Sequence, residues 1–198
     1  MAYKRIVCMT GNQNKRDEFM KLINNLNFII PKDTLEIESQ DEVLVAIHKM
    51  KDIISDIKID SNTLYFIEDT SLRIEGEEVG TNIKHLMNNI SNYVGKKANW
   101  IVTIAVSDGI DIKIYQGSLE GNISNKDLGN SGFAFDKYFI PFENNPNEFT
   151  ISELMDLKIS KDFYSARFNA VEKFLKNKYI TKIKISEIKP WNGNYQKE

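Results

Sequence analysis

The chain has 198 residues, 41% of them hydrophobic, a formal charge of −2 and a single cysteine. That is enough for one domain with a sizeable core, with two small lobes as the other arrangement, and the near-neutral balance excludes a general nucleic-acid or membrane-surface binder, which needs a basic face. One cysteine excludes an intrachain disulfide and a cysteine-built zinc site; without an apolar run of about 18 residues or a signal-peptide pattern, the chain is expected to be cytosolic.

Residues 6–9 read as a short buried strand, with Cys8 as a core thiol. Thr10, Gly11 and Asn12 break it, and Phe19, Leu22, Ile23 and Leu26 then fall on one helical stripe. Such a strand, tight loop and helix points backbone N–H groups and a helix dipole at whatever lies above, and Lys15 adds a full charge, which suits an anion. The Gly-Lys-Ser/Thr nucleotide loop and the three-glycine dinucleotide fingerprint are both missing, so an ordinary β-α turn stays open. Residues 27–31 and 34–37 read as strands, Ala46, Met50, Ile53 and Ile57 as a helix, and residues 63–67 as a strand again. Ile83, Leu86, Met87 and Ile90 mark a third helix. Residues 100–106 and 110–115 form a hairpin about Ser107, Asp108 and Gly109, because Asp-Gly is a favoured hairpin turn. A helix over residues 166–175 and a strand over residues 180–188 close a mixed α/β sheet.

Two stretches carry chemistry. Glu68 and Asp69 stand where the apolar strand of residues 63–67 is expected to end, followed by Thr70 and Ser71. Side chains alternate across a strand, so the two carboxylates point to opposite faces and one can reach a cation; the plain alternative is a strand-to-turn boundary. In residues 128–142, Gly129 and Gly132 loosen the backbone ahead of five aromatics, Phe133, Phe135, Tyr138, Phe139 and Phe142, with Asp136 among them. An aromatic ring beside a loop carboxylate suits a flat heterocycle, and Phe133 and Asp136 are the candidates; a strand feeding aromatics to the core is the alternative. Lys161 and Arg167 bracket the start of the last helix, as groups for a phosphate or a base carbonyl or as surface charges.

In this order the pieces resemble the inosine triphosphate pyrophosphatase family, over about residues 7–171. Thr10-Gly11-Asn12-Gln13-Asn14-Lys15 with Glu18 is similar to the family's Thr-Gly-Asn-x-x-Lys-x-x-Glu opening, Ile37-Glu38-Ser39-Gln40 to its metal-binding glutamate segment, and Glu68-Asp69-Thr70-Ser71 to its acidic strand end. Gly80-Thr81-Asn82-Ile83-Lys84 resembles its Gly-Pro-x-x-Lys segment, Gly132-Phe133-Ala134-Phe135-Asp136 its base loop, and Lys161 with Ser165-Ala166-Arg167 its lysine and Ser-His-Arg. The resemblance implies a single two-lobed domain over residues 1–198, with a long mixed central sheet, helices around a cleft, and a homodimer. It implies that a non-canonical purine nucleoside triphosphate such as ITP, dITP or XTP is cut to the monophosphate and pyrophosphate with Mg²⁺. Glu38 and Asp69 would hold the metal and Asp69 would activate water. Thr10, Gly11, Asn12, Lys15, Lys49 and Lys84 would hold the phosphates, Phe133, Phe135, Asp136, Lys161 and Arg167 the base side, and Thr70 would be a further substrate-binding residue.

Thr81 stands where the family's Gly-Pro-x-x-Lys segment has proline, and the other departures fall on the base side. Ala166 stands where the family has histidine, and Ala134 and Lys137 where its base loop has glycine and proline. Losing that histidine is expected to weaken the choice of a keto purine, and Ala166→His to restore it. A Maf-type pyrophosphatase acting on other nucleotides and a nucleotide-binding protein without turnover are the rival readings.

Overall fold

The computed structural model describes residues 5–32, 36–77 and 87–196. Strand β1 (Arg5–Met9) leads through the Thr10 loop into α1 (Gln13–Leu22) and back to β2 (Leu26–Ile29). The helical stripe anticipated as far as Leu26 stops short: Ile23 is already extended and Asn25 takes a left-handed φ of 56°, so Leu26 opens the next strand. Asn is among the few residues that adopt this conformation readily. Helix α2 (Glu42–Ser55) starts at Asp41, whose carboxylate accepts from the Val43 and Leu44 amides. Strand β3 (Thr63–Ile74) is longer than anticipated and corrects one premise: it runs straight through Glu68 and Asp69, because Leu72 and Ile74 continue its buried pattern.

Strands β4 (Lys97–Ser107) and β5 (Asp111–Ile123) form the expected hairpin. Its turn is fixed by Asp108 Oδ1, which accepts from the Ile110 and Asp111 amides, and by Gly109 at φ +90°. Then follow β6 (Phe139–Pro141), α3 (Ile151–Asp156), α4 (Ala166–Leu175) and β7 (Thr181–Lys184). The expected closing strand shrinks to those four residues before a 3₁₀ turn. Of the expected helix at Ile83, Leu86, Met87 and Ile90, the first two residues lie outside the described part, Met87 is helical, and Ile90–Tyr93 is a 3₁₀ turn.

The seven strands make one mixed sheet in the order β2-β1-β3-β4-β5-β6, with β7 also on β5. β1 lies between β2 and β3 and is parallel to both, and α1 and α2 carry the chain to its two sides. The loop after β1 therefore lies at a switch point of the parallel part, the usual place for a ligand in an open α/β sheet.

The chain divides into two compact units, residues 1–69, 103–116 and 170–198 in the first and 70–102 and 117–169 in the second. In the first, Val7, Met9, Tyr65 and Ile67 pack with Ala46, Met50 and Ile53 of α2. Phe66, on the opposite face, meets Phe19 and Phe174. In the second, Trp100 stands edge-on to Phe135 and Phe139. No described helix is long and apolar enough to cross a membrane.

In the second unit Gly121 pairs with Pro141, and a Cβ there would meet the Ile140 carbonyl oxygen at 2.3 Å and the Phe139 ring at 2.8 Å. Since the obstacle is backbone, Gly121→Ala is expected to cost about 1–3 kcal/mol in urea unfolding. An unchanged midpoint would show that β6 moves aside freely.

Candidate active site

The alternation of β3 fixes the first unit's site. Glu68 follows Phe66 onto the α1 face, and Asp69 follows Tyr65 and Ile67 onto the α2 face. The register that pairs Cys8 with Phe66 carries the loop after β1 level with Glu68. Asn12 caps α1 by accepting from the Lys15 amide at 3.2 Å, and Thr10 Oγ1 accepts from the Asn12 amide. The first turn so formed aims Lys15 at β3: Nζ lies 2.8 Å from Glu68 Oε2 and donates to the Glu68 carbonyl at 3.2 Å. Arg16 donates twice to the Thr10 carbonyl and holds the loop from its other side.

On the opposite face Lys49 of α2 pairs with Glu36. Burial works against its ammonium, yet Asp69, Glu36 and Glu68 outweigh it and raise its pKa. Asp69 Oδ2 is buried with no hydrogen-bond partner among the described residues. Burial pushes the Asp69 carboxyl up to about 6, against the pull of Lys49 and Lys15 and with the help of Glu36 and Glu68. Glu38 is exposed, and its amide donates to the Asn194 carbonyl. Glu36 is the residue that sequence reasoning passed over; its signal was its spacing, two residues from Glu38 across the buried Ile37.

The second unit gathers the residues anticipated for the base side. Asp136 is buried, accepts from the Phe133 amide at 2.9 Å and from Lys161 Nζ at 2.6 Å. The Lys161 ammonium lies 4.5 Å from the centre of the Phe133 ring and 5.6 Å from that of Trp100, a cation held against two aromatic faces. Arg167 is also buried and donates to Thr70 Oγ1 across a long 3.5 Å. Neither Lys161 nor Arg167 is a surface charge. Phe135 packs into the core beside Trp100, so of the two loop rings only Phe133 is partly exposed.

Two further placements matter. Ala134 adopts φ 51°, the left-handed region that glycine tolerates at no steric cost, which gives the family's glycine there a physical reason. Ala166 is fully buried at the start of α4. A histidine there would have to displace its buried neighbours, so Ala166→His is expected to cost stability. Lys84 lies outside the described residues.

An anion loop at a parallel switch point, with lysines on both faces of an acidic strand, defines an α/β protein equipped for a polyanion. The Ham1 family model matches residues 6–177, and the chain belongs to that family. It is 27% identical over 178 residues to a dITP/XTP pyrophosphatase of Korarchaeum cryptofilum, covering 82% of this chain and 89% of that protein. A dITP/XTP pyrophosphatase of Saccharolobus solfataricus is 25% identical over 182 residues, covering 86% and 91%. The Ham1 protein of Staphylococcus aureus shares the fold at a TM-score of 0.64 and 22% identity, over 88% of this chain and 100% of that one.

Two outcomes follow from these placements. The folded state holds the Asp69 proton more tightly than the unfolded chain, about 6 against 3.8, so this group's contribution to stability falls as pH rises between those values. Asp69→Asn removes the buried charge, and at pH about 8 it is expected to be more stable than the parent by roughly 1–3 kcal/mol, an advantage that shrinks as pH falls through that interval. Urea unfolding across pH measures this; a variant less stable at high pH would show that Lys15 and Lys49 depend on the carboxylate. Ala134→Gly is expected to gain about 0.5–1 kcal/mol by relieving the left-handed alanine, and a loss would mean that its methyl group packs usefully.

Proposed function

We propose that this protein hydrolyses non-canonical purine nucleoside triphosphates, such as ITP, dITP or XTP, to the monophosphate and pyrophosphate with Mg²⁺. The observation that carries the reading is the buried, unpartnered Asp69 Oδ2 between lysines from two helices. The dITP/XTP pyrophosphatases that resemble this chain supply the substrate class.

The donor set suits Mg²⁺. Among the described residues no group of three or more His, Cys, Asp and Glu side chains is assembled for a metal, and Mg²⁺ commonly takes only one or two carboxylates and fills its remaining positions with water and phosphate oxygens. Asp69 and Glu38 would hold it, with Glu36 occupied by Lys49. When bound, the cation supplies charge neutralisation on the phosphates and lowers the pKa of water.

The chain's own residues do the rest. Thr10, Gly11 and Asn12 present the loop to the triphosphate; a Cβ on Gly11 would come no nearer than 3.6 Å to Ile30, so internal packing does not require glycine, and close approach of a phosphate does. Lys15 and Lys49, with Lys84 as the family motif implies, neutralise the charge that grows on the leaving pyrophosphate. Asp69 takes a proton from water as its oxygen bonds to the α-phosphorus, and the bond to the bridging oxygen breaks with its electron pair leaving on pyrophosphate. A carboxyl raised toward neutrality is a better base than an ordinary aspartate. Thr70, Arg167, Lys161, Asp136 and Phe133 serve the nucleoside, with Phe133 stacking on the base and Phe135 supporting that loop from the core. The same reading carries a cytoplasmic homodimer, which light scattering of the purified protein would test.

A panel of triphosphates scored for pyrophosphate release tests the assignment. ITP, dITP or XTP is expected to be turned over best, and Asp69→Asn to lower turnover at least about a hundredfold while remaining folded. A folded Asp69→Asn enzyme of near-normal activity would move the base to Glu68; nucleotide binding without any product would make the protein a sensor. Arg167→Lys is expected to raise KM about tenfold or more, because the planar fork is lost at a buried site.

A further inference from the structure

The segment that follows β7 is not absorbed by the proposed chemistry, yet it is tied directly to the acidic residues of the first unit. Ile188 is buried in the α2 core, and its carbonyl accepts from Lys51 Nζ at 3.0 Å. Three residues on, Trp191 stands edge-on to His48 with ring centres 5.7 Å apart, one position before Lys49. The chain then turns sharply. The Trp191 indole N–H donates to the Asn194 carbonyl at 2.7 Å, and a Cβ on Gly193 would meet the indole at 2.6 Å. After that turn residues 194–196 run antiparallel to residues 36–38. The Glu38 amide donates to the Asn194 carbonyl at 2.9 Å, the Gln196 amide to the Glu36 carbonyl at 2.8 Å, and Gln196 Nε2 to the Ile37 carbonyl at 3.2 Å. Ile37 and Tyr195 form the bridge between them.

This arrangement fixes the backbone on both sides of Ile37, and with it the direction in which Glu36 and Glu38 leave the chain. Glu36 is thereby offered to Lys49, whose charge acts on Asp69. Residues 34 and 35 of the strand anticipated over residues 34–37 lie outside the described residues; among those described, residues 36–38 fall in no named strand, and the short ladder to residues 194–196 supplies their sheet-like pairing. Groups that orient a metal's ligands from outside its immediate shell matter about 10–100-fold in affinity.

We propose that residues 188–196 form a strap that positions Glu38 for a divalent cation carried by a triphosphate and Glu36 for Lys49 beside it, so that docking of the strap and occupancy of the site reinforce each other. The proposal rests on the reading given under Proposed function. The residues of the strap are positioning residues, since none is placed against substrate.

The test uses the full chain, a variant lacking residues 189–198, and Gln196→Pro, which deletes both the N–H that reaches Glu36 and the side-chain amide that reaches Ile37. Both variants are expected to need about tenfold more Mg²⁺ for half-maximal rate, while kcat at saturating Mg²⁺ stays within about threefold of the parent. A second readout needs no turnover. In a Trp100→Phe background Trp191 is the sole tryptophan, and Mn²⁺ with a triphosphate whose α,β bridge is non-hydrolysable is expected to shift its emission and slow hydrogen exchange at the Glu38 amide. Half-saturation within about twofold of the parent in both variants, with no change in emission or exchange, would overturn the proposal. If the truncated chain fails to fold, Gln196→Pro decides by the same measures. If the intact protein releases no pyrophosphate, the functional reading fails by itself, while emission and exchange still report whether the strap answers to the cation and triphosphate.

Discussion

Two adjacent carboxylates inside one strand place the strongest demand on this fold. Alternation sends Glu68 and Asp69 to opposite faces of β3, so one cation cannot pair closely with both, although both lysines act on Asp69. A buried carboxylate without a nearby cation is costly, so each face must receive a lysine. Lys15 arrives on α1, the helix that follows β1, and Lys49 on α2, the helix between β2 and β3. The parallel core, the loop at Thr10 and the placement of both helices converge on that requirement.

The two acids are treated differently. Glu68 is matched by Lys15 at 2.8 Å. Asp69 is left with a buried oxygen that no described group satisfies, and its pKa rises accordingly. Lysines from two helices act on a carboxylate that keeps one buried oxygen unsatisfied by any described group, the kind of perturbed acid expected at a functional site. In the second unit the pattern repeats in milder form: Lys161 is neutralised by Asp136 and laid over Phe133, which leaves a flat face bordered by charge.

Much of this was legible in the sequence, for identifiable reasons. The first strand, loop and helix follow from local rules, a buried run, a Gly-Asn break and an apolar stripe, and so does the Asp108-Gly109 hairpin. The opposite orientation of Glu68 and Asp69 follows from strand geometry alone. What could not be read locally was where β3 ends, since Leu72 and Ile74 are spaced too sparsely to announce themselves as strand. Nor could the burial of Arg167, Lys161 and Ala166 be foreseen, because it depends on contacts far apart in sequence. Glu36 was overshadowed by Glu38, two residues away in the same motif, and the strap at residues 188–196 gave no periodic signal because its pairing is with residues 36–38.

The central claim is that Asp69 directs water to the α-phosphorus while the lysines hold the phosphates beyond it. A single turnover of ITP in ¹⁸O-water, with the products separated and weighed by mass spectrometry, tests it most directly. The account predicts one labelled oxygen in inosine monophosphate and unlabelled pyrophosphate. Label in pyrophosphate would place the attack at the β-phosphorus, and label in orthophosphate, with a diphosphate forming first, would place it at the terminal phosphorus; either would contradict the role given to Asp69.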